Sequence, residues 1–221
     1  MKRPTSNKHA AGFTIIELLI ATTVFSVIML VITAGILGFT RQYYKGVVTS
    51  NTQTTARQVM SELTQAIQFG KSITLDLQDP ATGTSGFCVD DKLYSYQIGQ
   101  QVTDKSPDNT QHQAYHGLVV DNSVTSCSST TPSLSPLAQL PAGQREMLGD
   151  KMRLSALDIT DNSDSSFTIH LRIIYGDDDV LNPDPSSGTP AWDTENCEPE
   201  RTSNQYCAIT DLTTKVQTRL Q

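Results

Sequence analysis

The sequence predicts an α+β fold in which one long N-terminal helix packs on an antiparallel β-sheet. Three observations carry this. A helical pattern with no proline runs from residue 13 to residue 69. From Lys71 onward, apolar residues alternate with polar ones instead. Clusters rich in Asp, Asn, Ser and Gly separate the alternating runs. The 221 residues suffice for one ordinary domain with an appendage.

The first half of the helix is apolar throughout. Residues 18–40 contain no charged side chain. At ~1.5 Å per residue this run is about 34 Å long, enough for the ~30 Å hydrocarbon core of a bilayer. Residues 1–12 carry Lys2, Arg3 and Lys8 and no acid. Positive charge before the span keeps the N-terminus cytoplasmic and sends the rest outward. A secretory signal peptide has a shorter run with small residues after it. Here Ala10, Ala11 and Gly12 come before the run. A plain signal anchor fits the length but gives no reason for Glu17. An acid at mid-helix in hydrocarbon costs about 2.5–3.5 kcal/mol, less near an end, and normally has a partner. A third reading is cleavage before the run, leaving the helix with the mature chain.

The second half is amphipathic. Val48, Thr52, Thr55, Val59, Leu63 and Ile67 recur at three- and four-residue spacing, and Ala56, Met60 and Ala66 widen that face. Gly70 is the expected stop, with Lys71 beyond it. A helix over residues 13–69 is about 85 Å long at ~1.5 Å per residue, and a globular domain covers only its second half. Arg41, Tyr43, Tyr44 and Lys45 follow the charge-free run. They suit a membrane interface, and equally an ordinary solvent-facing helix.

Beyond Lys71, residues 93–98 alternate Leu93, Ser95 and Gln97 against Tyr94, Tyr96 and Ile98. Residues 115–120 read as a second strand. The clearest strand is 167–175, with Phe167, Ile169, Leu171, Ile173 and Tyr175 on one face and Thr168, His170 and Arg172 on the other. A strand over 152–160 joins it through Asp161-Asn162-Ser163-Asp164-Ser165, good turn chemistry for a hairpin. Residues 208–220 fit helix spacing and strand alternation alike; Thr210, Thr214 and Thr218 favour a strand. Residues 100–113, 128–143 and 176–206 read as long loops.

Composition excludes several functions. A net charge of -7 argues against a nucleic-acid surface. No P-loop, dinucleotide fingerprint or nucleophile elbow occurs. His112 and His116 have i,i+4 spacing but stand among Pro107, Asn109 and Gly117, with no third ligand. His170 reads as an exposed strand residue. Asp177, Asp178 and Asp179, with Asp184, Asp193 and Glu195 further along, make the last long loop acidic. They are a weak calcium candidate against a solvated acidic loop, because no EF-hand pattern occurs. Cys88, Cys127, Cys197 and Cys207 form no C-x-x-C pair. After a membrane signal an even count suggests disulfides in an oxidising compartment, against the alternative of buried thiols.

Residues Gly12-Phe13-Thr14-Ile15-Ile16-Glu17-Leu18, before a long apolar run, closely resemble the type IV prepilin signal shared by pilins and the pseudopilins of type II secretion. The resemblance is strong over residues 1–70. It implies that the prepilin peptidase and methyltransferase cuts after Gly12 and methylates the new N-terminus on Phe13. It also implies that Glu17 meets the N-terminal amine of a neighbouring subunit. The implied organisation is a leader over residues 1–12, a transmembrane and assembly segment over 13–40, an amphipathic half-helix over 41–70 and a β-rich head over 71–221. The implied partners are other pilin subunits and, before assembly, the membrane, with no cofactor, nucleic acid or small-molecule substrate. The chain departs from many major pilins in lacking a mid-helix proline, with Ala34 in its place. Gly35 and Gly38 supply local weakness there, each up to about 1 kcal/mol relative to Ala.

The size, the irregular loops and the missing proline resemble minor pilins or minor pseudopilins. Ala21 and Phe25 after Ile20 are similar to J-type minor pseudopilins. The implied function is a minor pilin-like structural subunit that passes from membrane to cell-surface filament. The alternatives are a pseudopilin of type II secretion or a membrane-anchored extracytoplasmic binding or enzymatic domain. Four cysteines allow three pairings, and sequence leaves them open. Nearness along the chain and strand order favour Cys88–Cys127 and Cys197–Cys207, the second resembling the disulfide-bounded loop of many pilins. Some pseudopilins hold calcium in a loop, which bears on the aspartates at 177–179.

Overall fold

The computed structural model describes residues 13–103, 115–125, 127, 130–134, 140–177, 197 and 206–219. The chain divides into two compact units, Met1–Tyr43 and Tyr44–Gln221. Among the described residues one helix, α1 (Ile15–Phe69), runs through both, followed by eight strands. These are β1 (Ile73–Asp79), β2 (Thr84–Val89), β3 (Lys92–Tyr96), β4 (Leu118–Asp121), β5 (Gln144–Glu146), β6 (Met152–Asp161), β7 (Ser166–Tyr175) and β8 (Ala208–Gln217).

In the second unit the helix buries Val48, Thr52, Ala56, Val59, Met60, Leu63 and Ile67. That is the apolar stripe of the sequence, with Thr55 and Ala66 at its half-buried margin. The helix ends where Gly70 donates its N–H to the Ala66 carbonyl at 2.8 Å. A side chain at Gly70 would place its Cβ 2.4 Å from Val89 Cγ1. The chain turns there because β2 passes too close for a substituent.

The strands form two antiparallel sheets, ordered β1-β2-β3-β4-β5 and β6-β7-β8, where the sequence suggested one. The segment just after β3 links the two sheets. Gly99 N–H donates to the Leu154 carbonyl at 2.8 Å, and Val102 N–H to the Met152 carbonyl at 2.8 Å. Residues 99–102 thus leave the first sheet and stitch the edge of β6. Both sheets contribute to one core with the helix: Phe87, Tyr94, Leu118 and Val120 from the first, Leu154, Phe167, Ile169, Leu171 and Ile173 from the second. Phe87 and Tyr94 stack there, ring centroids 4.6 Å apart and nearly coplanar.

The β6–β7 hairpin follows its turn chemistry. Ser163 N–H donates to the Asp161 carboxylate at 2.9 Å, and Ser163 and Ser165 adopt positive φ. Four strands differ from their expected limits by a few residues: β3 ends at Tyr96, β4 starts at Leu118, β6 extends to Asp161 and β8 stops at Gln217. Three strands, β1, β2 and β5, had no counterpart in the sequence reading. In β1 the register slips between Thr74 and Leu77, with Asp76 at φ 57°, so its alternation is broken. β2 is buried on both faces and contains Gly86, which hides any period of two. β5 has only three residues.

The first sheet is covered on its back as well. Cys88 and Cys127 form a disulfide, Cα atoms 5.7 Å apart, in a small cluster with Leu93. Ser133 N–H donates to Ser95 Oγ at 3.2 Å, so residues 130–134 lie over that face. Part of the expected loop at 128–143 is therefore a cover for the sheet. Residues 128–129 and 135–139 lie outside the described residues. A second disulfide joins Cys197 and Cys207 beside the buried Ile174, Cα atoms 5.6 Å apart.

Candidate functional site

The start of α1 is built from four residues, Thr14-Ile15-Ile16-Glu17. Thr14 stands before the first helical residue, and Glu17 lies three positions on. Glu17 Oε2 accepts the Thr14 N–H at 2.9 Å and the Thr14 hydroxyl at 2.8 Å. Thr14 Oγ1 in turn faces the Glu17 N–H at 3.3 Å. This reciprocal arrangement is a capping box, which satisfies backbone donors that a helix start leaves open. All three contacts use Oε2 or the Thr14 hydroxyl. The acid in the apolar run is therefore a component of the helix terminus. The S/T-x-x-E spacing before an apolar run is the signal that reveals it in the sequence.

Downstream, the polar side chains of the apolar run turn inward on their own helix. The hydroxyls of Thr22, Thr23, Ser26, Thr33 and Thr40 donate to the carbonyls of Leu19, Ile20, Thr22, Met29 and Ile36, at 2.8–3.0 Å. A hydroxyl bonded this way needs no water, so five polar residues are compatible with hydrocarbon. The apolar side chains of the run point outward: Phe13 is 83% exposed, and Leu30, Val31 and Phe39 are similarly bare. The helix contains a stretch long and apolar enough to cross a membrane, none of it buried within the chain.

Against this geometry, a family model described as the prokaryotic N-terminal methylation motif matches residues 7–33. The motif is that of type IV prepilin-like proteins, and it supports a relation of this chain to pilins and pseudopilins. The fold, one long apolar helix packed with antiparallel sheets, is consistent with the α+β fold of type IV pilin-like proteins. Curated proteins and solved structures give no match. The motif supports a processed and methylated chain anchored in a membrane by its N-terminal helix. Type IV pilin-like proteins are generally structural and not enzymes.

The other residues singled out in the sequence are scattered. Gly12, Asp178, Asp179, Asp184, Asp193, Glu195 and His112 lie outside the described residues. His116 is buried and stands 3.2 Å from Glu146, in a contact the sequence reading did not anticipate. Among the described residues no group of three His, Cys, Asp or Glu side chains is placed to hold a metal. His170 is only partly exposed. Its two ring nitrogens face Asp158 at 3.4 Å and Asp211 at 2.9 Å on the neighbouring strands.

Glu146 binds the head together from the short strand β5. Its oxygens accept the N–H groups of Gly117, Leu118, Met147 and Leu148 at 2.9–3.1 Å. Four donors and an imidazole around one half-sealed carboxylate make a local anchor between β4 and β5. Glu146→Gln keeps one acceptor oxygen and loses the charge-assisted bonds, which contribute about 2 kcal/mol. Urea unfolding of the variant should report a loss of that size; an unchanged midpoint would show that the anchor is dispensable.

Asp177 is held by two donors. Lys151 Nζ reaches one carboxylate oxygen at 2.7 Å and Gln101 Nε2 the other at 3.1 Å. Burial pushes this carboxyl up, but the Lys151 and Gln101 hydrogen bonds and the Lys151 charge outweigh it and hold it below the usual carboxylate range. A lowered folded-state value contributes stability above the unfolded value and loses it as pH falls through the folded one. Asp177→Asn should therefore flatten the acid limb of the stability–pH curve below the ordinary Asp range. Denaturation midpoints measured across that range check this, and an unaltered slope contradicts it.

Proposed function

We propose that the chain is a minor pilin-like structural subunit of a type IV pilus or related filament. In this reading it is cut after Gly12 by the prepilin peptidase, methylated at Phe13 and inserted into the filament through its N-terminal helix. The supporting observation is the start of α1, where a carboxylate with one engaged oxygen begins a helix whose apolar side chains have no cover of their own. An apolar rod of this kind needs lipid first and neighbouring helices afterwards. Cleavage after Gly12 exposes a cationic amine on Phe13, and in a staggered bundle a neighbour's amine neutralises Glu17.

Removal of Lys2, Arg3 and Lys8 with the leader makes the mature chain three charges more negative than the -7 of the whole sequence. An acidic surface favours protein contacts or surface adhesion over capture of DNA. The test is to shear surface filaments from cells and blot for the chain. It should appear in low proportion, and its deletion should reduce the number of pili. A chain confined to the membrane fraction, with pili unchanged on deletion, would contradict the proposal. Loss of protein secretion with pili intact would assign the subunit to a type II secretion filament instead.

A further inference from the structure

The head has an aromatic rim beside the helix. Tyr206, next to the disulfide-bonded Cys207, packs its ring on Tyr44, centroids 6.0 Å apart and tilted by 52°. Both rings stay open, Tyr44 at 47% and Tyr206 at 44% exposure. The first helix residue that the head buries is Val48, one turn further on. The ring pair thus marks the level at which the head begins. Tyr44 follows the end of the charge-free run by four residues. At ~1.5 Å per residue that is about 6 Å. The headgroup layer on each side of a ~30 Å core is about 5–8 Å deep. Lys45, exposed and next along the helix, brings a positive charge to the same level.

We propose that Tyr44 and Tyr206 form a seat that rests this rim of the head on phospholipid headgroups before assembly. Tyrosine suits that layer because its ring is apolar and its hydroxyl stays hydrated. The occupant is a lipid surface because Tyr44 follows the apolar run on the same helix. The acidic charge of the rest of the head keeps the contact to this rim, where Lys45 offsets it. Tyr206 leads through Cys207 into the start of β8, where Ala208 pairs with Tyr175 of β7, and this holds the ring at the rim. The inference rests on membrane anchoring by the N-terminal helix.

The test uses the full chain in vesicles of phosphatidylethanolamine and phosphatidylglycerol, with brominated acyl chains in a parallel sample. Tyr206→Trp and Tyr44→Trp are each made with Trp192→Phe, which removes the single native tryptophan. Flotation with the vesicles reports anchoring separately from the seat. Both indole reporters should emit at shorter wavelength than the same variants unfolded in urea, where the indole is in water. Both should also lose emission to the brominated lipid. A chain that floats while the reporter at position 206 emits as in water, unquenched, overturns the seat and leaves anchoring intact. Quenching at position 44 alone also overturns it, because the pair does not then share the membrane surface. Protection of the reporter at position 206 only in sheared filaments assigns the pair to subunit packing and overturns it. A chain that fails to float overturns anchoring and the seat together.

Discussion

Glu17→Gln is expected to insert into the membrane normally and to be lost from filaments, whereas Thr14→Ala is expected to assemble. The two variants separate the two roles of the helix start. Glutamine serves at this position of a capping box as glutamate does, so Glu17→Gln keeps the local hydrogen bonds to Thr14 and removes only the charge. Thr14→Ala keeps the charge and removes the hydroxyl that links the box, at a cost of about 1 kcal/mol. If the carboxylate matters through a neighbour's amine, only the first variant leaves the filament. Membrane-fraction and sheared-fraction blots of both variants decide the matter. Equal incorporation of the two would reduce Glu17 to a cap.

The second large effect is expected from the Cys88–Cys127 disulfide. It spans 39 residues. The loop-closure relation gives about 4 kcal/mol for a loop of that length, near the upper end of measured disulfide contributions. The Cys197–Cys207 bridge spans 10 residues and is expected to contribute about 3 kcal/mol. The first bridge also sits in the small apolar cluster behind the first sheet, with Leu93. Cys88→Ser should therefore lower the urea midpoint more than Cys197→Ser, and reduction of the wild-type chain should lower it at least as far as either. The reverse order, or a midpoint insensitive to reductant, would contradict this.

The parts of the fold legible in the sequence share one property: a single face carries the burial. The apolar stripe on the second half of α1 and the alternation in β7 each point one way, so periodicity exposes them. β2 defeats the same reasoning because its two faces are both covered, one by the helix core and one by the disulfide cluster and residues 130–134. Phe87 and Cys88, adjacent in sequence, serve the two sides. β1 defeats it through its bulge at Asp76, and β5 through its brevity. At the helix start the heptad from Gly12 to Leu18 is legible as a resemblance to the N-terminal methylation motif that matches residues 7–33, and so is the oddity of an acid in an apolar run. The hydrogen bonds between Thr14 and Glu17 were encoded there too, in the capping spacing, but a charge among apolar residues masks so local a role. His116 and Glu146 lie thirty residues apart in sequence and meet only because β4 and β5 pair. No local pattern encodes that meeting.

The most direct measurement on the central claim is the intact mass of the chain extracted from native membranes and filaments. A mature subunit beginning at Phe13, lighter by the twelve-residue leader and heavier by one methyl group, is the predicted result. A chain that still begins at Met1 in both fractions would contradict it, since no new amine would then exist to meet Glu17.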